Sequence, residues 1–156
     1  MSAPRSAALA SRHPILLVED DDNDVVLIRR AFEKSKLANT LEVVTDGEAA
    51  VAYLAGEAPY EDRVLPELVL LDLKLPRKSG HEVLEWIRSQ PGLRYLPVVI
   101  LTSSREKTDL ERAYRLGANS YLVKPPDFEA LLEMVQTLDV YWMVLNEKPD
   151  VGSTGP

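Results

Sequence analysis

The stretch "LVLLDLKLP", from Leu68 to Pro76, places a carboxylate at the end of the most apolar predicted strand of the chain. Leu68 to Leu71 are long enough for a strand, and Asp72 follows them directly. A strand that is apolar throughout, instead of alternating, is typical of a parallel sheet that is covered on both faces. In open parallel sheets, functional groups gather beyond the carboxyl ends of the strands. The stretch therefore predicts the fold class and also where the site should lie.

Four further short apolar runs have this character, and segments with helical periodicity separate them. This alternation of strands and helices predicts an α/β sandwich with a parallel sheet. At 156 residues the chain is most simply one domain. We expect residues 14–147 to form it, with disordered ends at 1–13 and 148–156. The four runs are Ile15–Val18, Leu41–Val44, Pro97–Leu101 and Ser120–Val123.

Composition and charge exclude several classes of function. Eighteen basic and 25 acidic residues give a net charge of −7, which disfavours nucleic acid as a partner. No apolar run reaches the roughly 18 residues of a membrane span, so we expect no membrane partner. The chain has no cysteine, which removes disulfides, thiol nucleophiles and cysteine–zinc sites, and its two histidines nearly exclude a histidine metal cluster. A cytoplasmic location fits this composition.

Chemically active side chains follow four of the predicted strands. Glu19 and Asp20 come after the first strand, and Asp72 comes after the third. Thr102 follows the fourth strand and Lys124 the fifth. Because the carboxyl ends of parallel strands meet at one edge of the sheet, we expect these side chains to converge. Helix capping alone would not place acids after the first and third strands and a lysine after the fifth.

The converging acids predict a metal site. Three carboxylates within a few ångströms repel one another, and one would take up a proton unless a cation lay between them. Mg²⁺ fits such a site because it binds a few carboxylate oxygens, keeps several waters and accepts a phosphate oxygen. We expect Asp20 and Asp72 to bind Mg²⁺ directly and Glu19 to bind it through water. The backbone carbonyl of Lys74 could add a further ligand.

A carboxylate beside a bound cation can attack a phosphoryl group and form an acyl phosphate. Asp72 is the predicted phosphoacceptor, and Thr102 and Lys124 would bind the other phosphoryl oxygens. The neighbouring Asp22 and Asp24 are interpreted as part of a solvated turn that caps a helix. Either Asp22 or Asn23 is predicted to cap the first helix, and Asp46 the second.

Four motifs together resemble the receiver domain of response regulators: "ILLVEDD", "LVLLDLKLPRKSG", "PVVILTSS" and "GANSYLVKP". The match covers about Pro14 to Leu145. It implies a flavodoxin-like (βα)5 three-layer sandwich with strand order 2-1-3-4-5. It also implies that Thr102 and Tyr121 form a switch pair and that the peptide between Lys124 and Pro125 is cis. The roles of Glu19, Asp20, Asp72, Thr102 and Lys124 agree with those expected above.

The "LPRKSG" and "LTSS" segments look most like those of stand-alone regulators that pair with phytochrome-type histidine kinases. The resemblance implies a signalling protein and not an enzyme with a separate substrate. Such a protein catalyses its own phosphorylation and dephosphorylation. After Leu145 only "NEKPDVGSTGP" remains, which is too short for a DNA-binding domain. We therefore expect the output to pass through contact with a downstream protein.

Other functions fit the sequence less well. A phosphatase of the haloacid dehalogenase type carries its nucleophile on the first strand, with a second aspartate two residues later, where this chain has Lys74 after Asp72. A flavodoxin needs phosphate-binding groups after the first strand, and the acidic run from Glu19 to Asp24 would repel a flavin phosphate. A receiver that acts without phosphorylation remains open, although every acceptor residue is present.

The C-terminal segment predicts self-association. No glycine or proline occurs from Asp127 to about Glu147, so one extended helix of roughly 30 Å is expected. Its stretch "VYWMVL" is apolar on every side, and a helix end can bury only one face. Tyr141, Trp142 and Val144 are therefore expected to form an exposed patch that joins a homodimer. The alternative is that the stretch folds back over the core.

Overall fold

A computed structural model describes residues 13–35 and 39–139 of the chain. Its five strands form one parallel sheet in the order β2-β1-β3-β4-β5, as predicted. The fourth strand begins one residue later than predicted and includes Thr102. The elements are β1 (Ile15–Val18), α1 (Asp22–Ser35), β2 (Leu41–Val44), α2 (Gly47–Ala55), β3 (Leu68–Leu71), α3 (Gly80–Ser89), β4 (Val98–Thr102), α4 (Lys107–Arg115), β5 (Ser120–Val123) and α5 (Phe128–Leu138).

Helices cover both faces of the sheet, and the three central strands are apolar except for Thr102 at the end of β4. In β1, Ile15 and Leu17 pack into a cluster with α1 and α5. Leu16 and Val18 point the other way, into a cluster with α2, α3 and α4. Every residue of β1, β3 and β4 is buried, whereas the edge strands β2 and β5 are mostly half-buried or exposed. The continuous apolar runs in the sequence thus report burial on two faces.

Aspartates cap the first two helices. Asp46 caps α2 as predicted, its Oδ1 accepting a hydrogen bond from the amide of Ala49 at 2.7 Å. The first helix differs from the prediction, because Asp22 already lies within it. Asp21 acts as the cap instead and accepts from the amide of Asp24 at 3.0 Å. The carboxylate one residue before the helix is the one placed to reach the free amide in the first turn.

The last helix packs on the sheet through an apolar stripe that includes Leu131, Val135 and Leu138. The patch formed by Tyr141, Trp142 and Val144, and the extension to Glu147, lie outside the described residues, as do residues 1–12. The limits predicted for the domain at 14 and 147 therefore stay predictions. None of the helices that the structure describes is long and apolar enough to cross a membrane.

Candidate functional site

The carboxyl ends of β1 and β3 bring three acids together. Glu19, Asp20 and Asp72 each offer a carboxylate oxygen, and these oxygens lie within 4.8 Å of one another. Glu19 and Asp72 are buried, whereas Asp20 is exposed at the mouth of the cluster. The parallel pairing of the two strands continues into the site, because the amide of Asp72 donates to the carbonyl of Val18 at 3.1 Å. The sheet therefore fixes the distance between the acids.

Lys124, which follows β5, reaches across the sheet edge into this cluster. Its Nζ lies 2.6 Å from Glu19 Oε1, 2.8 Å from Asp24 Oδ2 and 2.9 Å from Asp72 Oδ2. Burial works against the charged lysine, but its hydrogen bonds to the three carboxylates outweigh burial and raise the pKa of Lys124. The ammonium group thus stays charged and neutralises part of the acidic cluster.

One ammonium group is not enough for all the acids. Burial raises the pKa of Glu19 to about 7, although hydrogen bonds from Lys124 and from the Asp21 amide act in the opposite direction. The negative charge of Asp72 acts in the same direction as burial and contributes to this raised pKa. A second cation near this carboxyl group would stabilise its charged form. The hard oxygen donors of Glu19, Asp20 and Asp72, together with this excess of negative charge, fit a divalent cation.

Both oxygens of the Asp72 carboxylate are held in place. Oδ2 contacts Lys124, and Oδ1 accepts from the amide of Leu73 at 2.7 Å and from that of Lys74 at 3.4 Å. Behind them, the chain folds back on itself so closely that a Cβ on Gly80 would overlap the Asp72 carbonyl oxygen and lie 2.7 Å from Leu73 Cα. The backbone of the loop from 73 to 79 therefore packs closely against Asp72.

Thr102 and Tyr121, the predicted switch pair, are connected through one residue of the loop after β4. Thr102 is fully buried, and its Oγ1 accepts from the amide of Ser104 at 3.3 Å. The Tyr121 hydroxyl donates to the carbonyl oxygen of Ser104 at 3.1 Å. The Ser104 side chain donates to Asp109 Oδ2 in α4 at 2.6 Å. Ser104 thus joins the site, strand β5 and helix α4.

Sequence reasoning missed Asp24 and Ser104. Asp24 was interpreted as a capping residue, but its carboxylate binds Lys124. It lies in the first turn of α1, within the acidic run that begins at Glu19 directly after the first strand, and this position was the signal that could have placed it near the site. Ser104 carries no such signal, because its contacts depend on the path of a loop.

The expectation of a cis peptide between Lys124 and Pro125 is wrong, because within the described residues only the Ala58–Pro59 peptide is cis. An amide before proline prefers the trans form by only about 0.5–1 kcal/mol, so local packing decides the isomer and the motif alone does not.

Comparison with known proteins agrees with this geometry. The family model for the response regulator receiver domain matches residues 15–136. A probable methanogenesis regulatory protein, FilR2 of Methanothrix harundinacea, is 46% identical over 135 residues, which cover 86% of each chain. Response regulator Rcp1 of Synechocystis is 40% identical over 129 residues, covering 83% of this chain and 88% of Rcp1.

Two solved structures share the fold and bear on the site. The phosphorylated cyanobacterial phytochrome response regulator RcpA superposes with a TM-score of 0.84 at 37% identity, covering 89% of this chain and 99% of RcpA. The Mn²⁺-bound form of Rcp1 superposes with a TM-score of 0.81 at 39% identity, covering 88% of this chain and 99% of the Rcp1 chain. The chain is therefore similar to proteins solved with a phosphoryl group in one case and a divalent metal in the other.

The charge balance of the site gives a first testable prediction. Replacing Lys124 with Met should lower the free energy of unfolding in the presence of a chelator by about 2–4 kcal/mol, slightly below the range for breaking a fully buried ion pair, because water still reaches Asp24. Added Mg²⁺ should recover part of this loss, since it replaces the missing positive charge. Urea unfolding with and without the metal measures both effects.

The matched control is Lys74→Met, which removes an exposed lysine on the loop beside the site and should leave stability nearly unchanged. A loss for the Lys124 variant that Mg²⁺ does not reduce would contradict the picture of one acidic cluster shared by the ammonium group and a metal.

Proposed function

The chain belongs to the response regulator receiver family, and we propose that it accepts a phosphoryl group on Asp72 from a histidine kinase. One observation carries this assignment to Asp72. Its carboxylate is the acid that Lys124 contacts on one oxygen while backbone amides of the following loop hold the other oxygen. A nucleophile fixed in this way, next to an ammonium group and a cation-binding cluster, suits phosphoryl transfer.

The proposed reaction forms one bond and breaks one. A carboxylate oxygen of Asp72 attacks the phosphorus of a phosphohistidine, and the P–N bond breaks with its electron pair going to the imidazole of the kinase. The product is an acyl phosphate. Lys124 would leave Glu19 and Asp24 to bind a phosphoryl oxygen, and Thr102 would donate its hydroxyl to another. Attack of water on the same phosphorus would break its bond to the Asp72 oxygen, which keeps the electron pair, and would release inorganic phosphate. Self-catalysed dephosphorylation is therefore part of the proposal.

The metal that the site would hold is proposed to be Mg²⁺. Asp20 and Asp72 would bind it directly, Glu19 through water, and Lys74 through its backbone carbonyl. When bound, the cation would neutralise charge that develops on the phosphoryl oxygens. The Mn²⁺-bound form of Rcp1 and the oxygen donors of this cluster both support a divalent cation here.

The partner is proposed to be a histidine kinase of the phytochrome type, which the likeness to RcpA and Rcp1 supports. Signal output is proposed to occur by contact with another protein and not with nucleic acid, consistent with the net charge of −7. A cytoplasmic location, with the receiver domain at 14–147, completes the proposal.

Phosphorylation at Asp72 gives the central functional prediction. In Mg²⁺ and a small phosphodonor such as acetyl phosphate, the intact protein should gain the mass of one phosphoryl group. Asp72→Asn should abolish this increment because the amide is not a nucleophile. Asp20→Asn should weaken both labelling and metal binding. The control Asp22→Asn changes an exposed acid of the same cleft and should label normally. Full labelling of Asp72→Asn would contradict the proposal.

Thr102 and Tyr121 are proposed to transmit the phosphorylated state. Drawing the Thr102 hydroxyl toward a phosphoryl group would remove the acceptor of the Ser104 amide, and Ser104 also holds the Tyr121 hydroxyl. The loop should then shift between two existing states and move α4 and β5.

In NMR spectra, phosphorylation should therefore shift amide signals in α4 and β5 as well as at the metal site. Thr102→Ala should be labelled but should lose the shifts in α4 and β5. Shift changes confined to the metal site in the wild-type protein would contradict this switch.

The homodimer stays a proposal from sequence alone, through the patch of Tyr141, Trp142 and Val144. It does not require phosphorylation, because nothing in this patch depends on Asp72. Sedimentation should show a dimer at tens of micromolar, a range typical of moderate interfaces, and Trp142→Asp should convert it to a monomer. A chain that ends at Asp139 should be monomeric too. A monomeric wild-type protein, phosphorylated or not, would refute the dimer.

A further inference from the structure

The start of helix α2 lies directly against the loop that follows Asp72. The amide of Gly47 donates to the carbonyl of Pro76 at 3.3 Å, and the amide of Lys78 donates to the same carbonyl at 2.8 Å. Gly47 is buried in this contact. A Cβ on Gly47 would overlap the Lys78 carbonyl oxygen and lie 2.6 Å from Lys78 Cβ. Only a residue without a side chain allows the helix and the loop to approach this closely.

The loop at this contact has a conformation that needs support. Arg77 has φ of +72°, in the left-handed region that a residue with a side chain adopts at a cost. Its Nε lies 3.4 Å from Asp46 Oδ2, but the Arg77 side chain is 64% exposed, and such an ion pair contributes little. The backbone contact at Gly47 is therefore the stronger restraint on the turn.

The same loop positions Asp72 at its other end. The amides of Leu73 and Lys74 hold Asp72 Oδ1, and the amide of Gly80 closes the loop by donating to the carbonyl of Leu73 at 2.9 Å. A shift of residues 76–78 would thus be transmitted to the amides that hold the acid and to the Lys74 carbonyl. Displacement of a reacting group by about 1 Å can reduce a rate by about 100-fold.

We propose that Gly47 is a positioning residue for phosphoryl transfer, because its close contact with the turn at Arg77 and Lys78 holds the loop that orients Asp72. This proposal rests on the proposed function. It gives a role in orienting Asp72 to helix α2, which contributes no side chain to the cluster of Glu19, Asp20 and Asp72 that the structure describes. Gly47→Ala should retain the nucleophile, the lysine and the acids, yet react slowly.

The test compares two glycines at opposite ends of α2. Gly56, at the C-terminal cap, has φ of +72°, and a Cβ there would come no closer than 3.4 Å to Arg63. Both Gly47→Ala and Gly56→Ala should lose stability, but only Gly47→Ala should be slow. With saturating Mg²⁺ and acetyl phosphate, its labelling rate should fall by about 10- to 100-fold, while Gly56→Ala keeps the wild-type rate. Amide NMR signals of Leu73 and Lys74 should move in Gly47→Ala alone.

A second pair of variants, at the exposed Arg77, tests the same loop conformation. These variants keep the proposal testable if Gly47→Ala does not fold. Arg77→Gly and Arg77→Val both remove the ion pairs with Asp46 and Glu48, but only Val opposes the left-handed turn. Arg77→Val should be labelled at least about fivefold more slowly than Arg77→Gly.

A folded Gly47→Ala that reacts at the wild-type rate, a Gly56→Ala that is equally slow, or equal rates for the two Arg77 variants would overturn the proposal. Failure of the wild-type protein to be labelled on Asp72 would instead overturn the proposed function, so the two failures are distinguishable.

Discussion

The mutual repulsion of Glu19, Asp20 and Asp72 is the constraint on which the site depends. In water these carboxylates would separate, but strands β1 and β3 hold them at a spacing fixed by their parallel pairing. Lys124 supplies the positive charge that makes this arrangement possible in a partly buried cleft. Because one ammonium group leaves negative charge in excess, the cluster remains receptive to a divalent cation. The folded chain thus keeps an excess of negative charge that a bound divalent cation would offset.

The backbone around Asp72 is as important as the charges. An acid at the end of a buried strand has few neighbours that can orient it, and here the amides of the following loop do so. Gly80 lets that loop fold back against the Asp72 carbonyl, and Gly47 lets helix α2 approach its far side. Backbone amides therefore hold one oxygen of the Asp72 carboxylate, whereas Lys124 holds the other. In the proposed reaction, the charges would supply the chemistry and the close backbone packing would orient the acid.

Much of the fold and the site could be predicted because topology decides both. Apolar runs such as Leu68–Leu71 predicted the central strands, since burial on two faces leaves no polar position. Parallel strands place their carboxyl ends at one edge, so the convergence of Asp72 and Lys124 followed from their positions after β3 and β5. Asp24 and Ser104 were missed because their contacts depend on the rotation of a helix and the path of a loop. The close approach at Gly47 involves elements far apart in the chain and leaves no local pattern.

In the proposed reaction, the Lys124 ammonium group leaves the carboxylate of Glu19 and binds the phosphoryl group on Asp72. Observing this movement is the most direct test of the proposed function. A crystal structure of the protein with Mg²⁺ and beryllofluoride, a phosphoryl mimic, would show it. We predict beryllium bonded to an Asp72 oxygen, the metal bound by Asp20 and Asp72, and the Lys124 ammonium group moved from Glu19 to a fluorine atom. A structure in which Lys124 still contacts all three carboxylates, with no mimic on Asp72, would contradict this prediction.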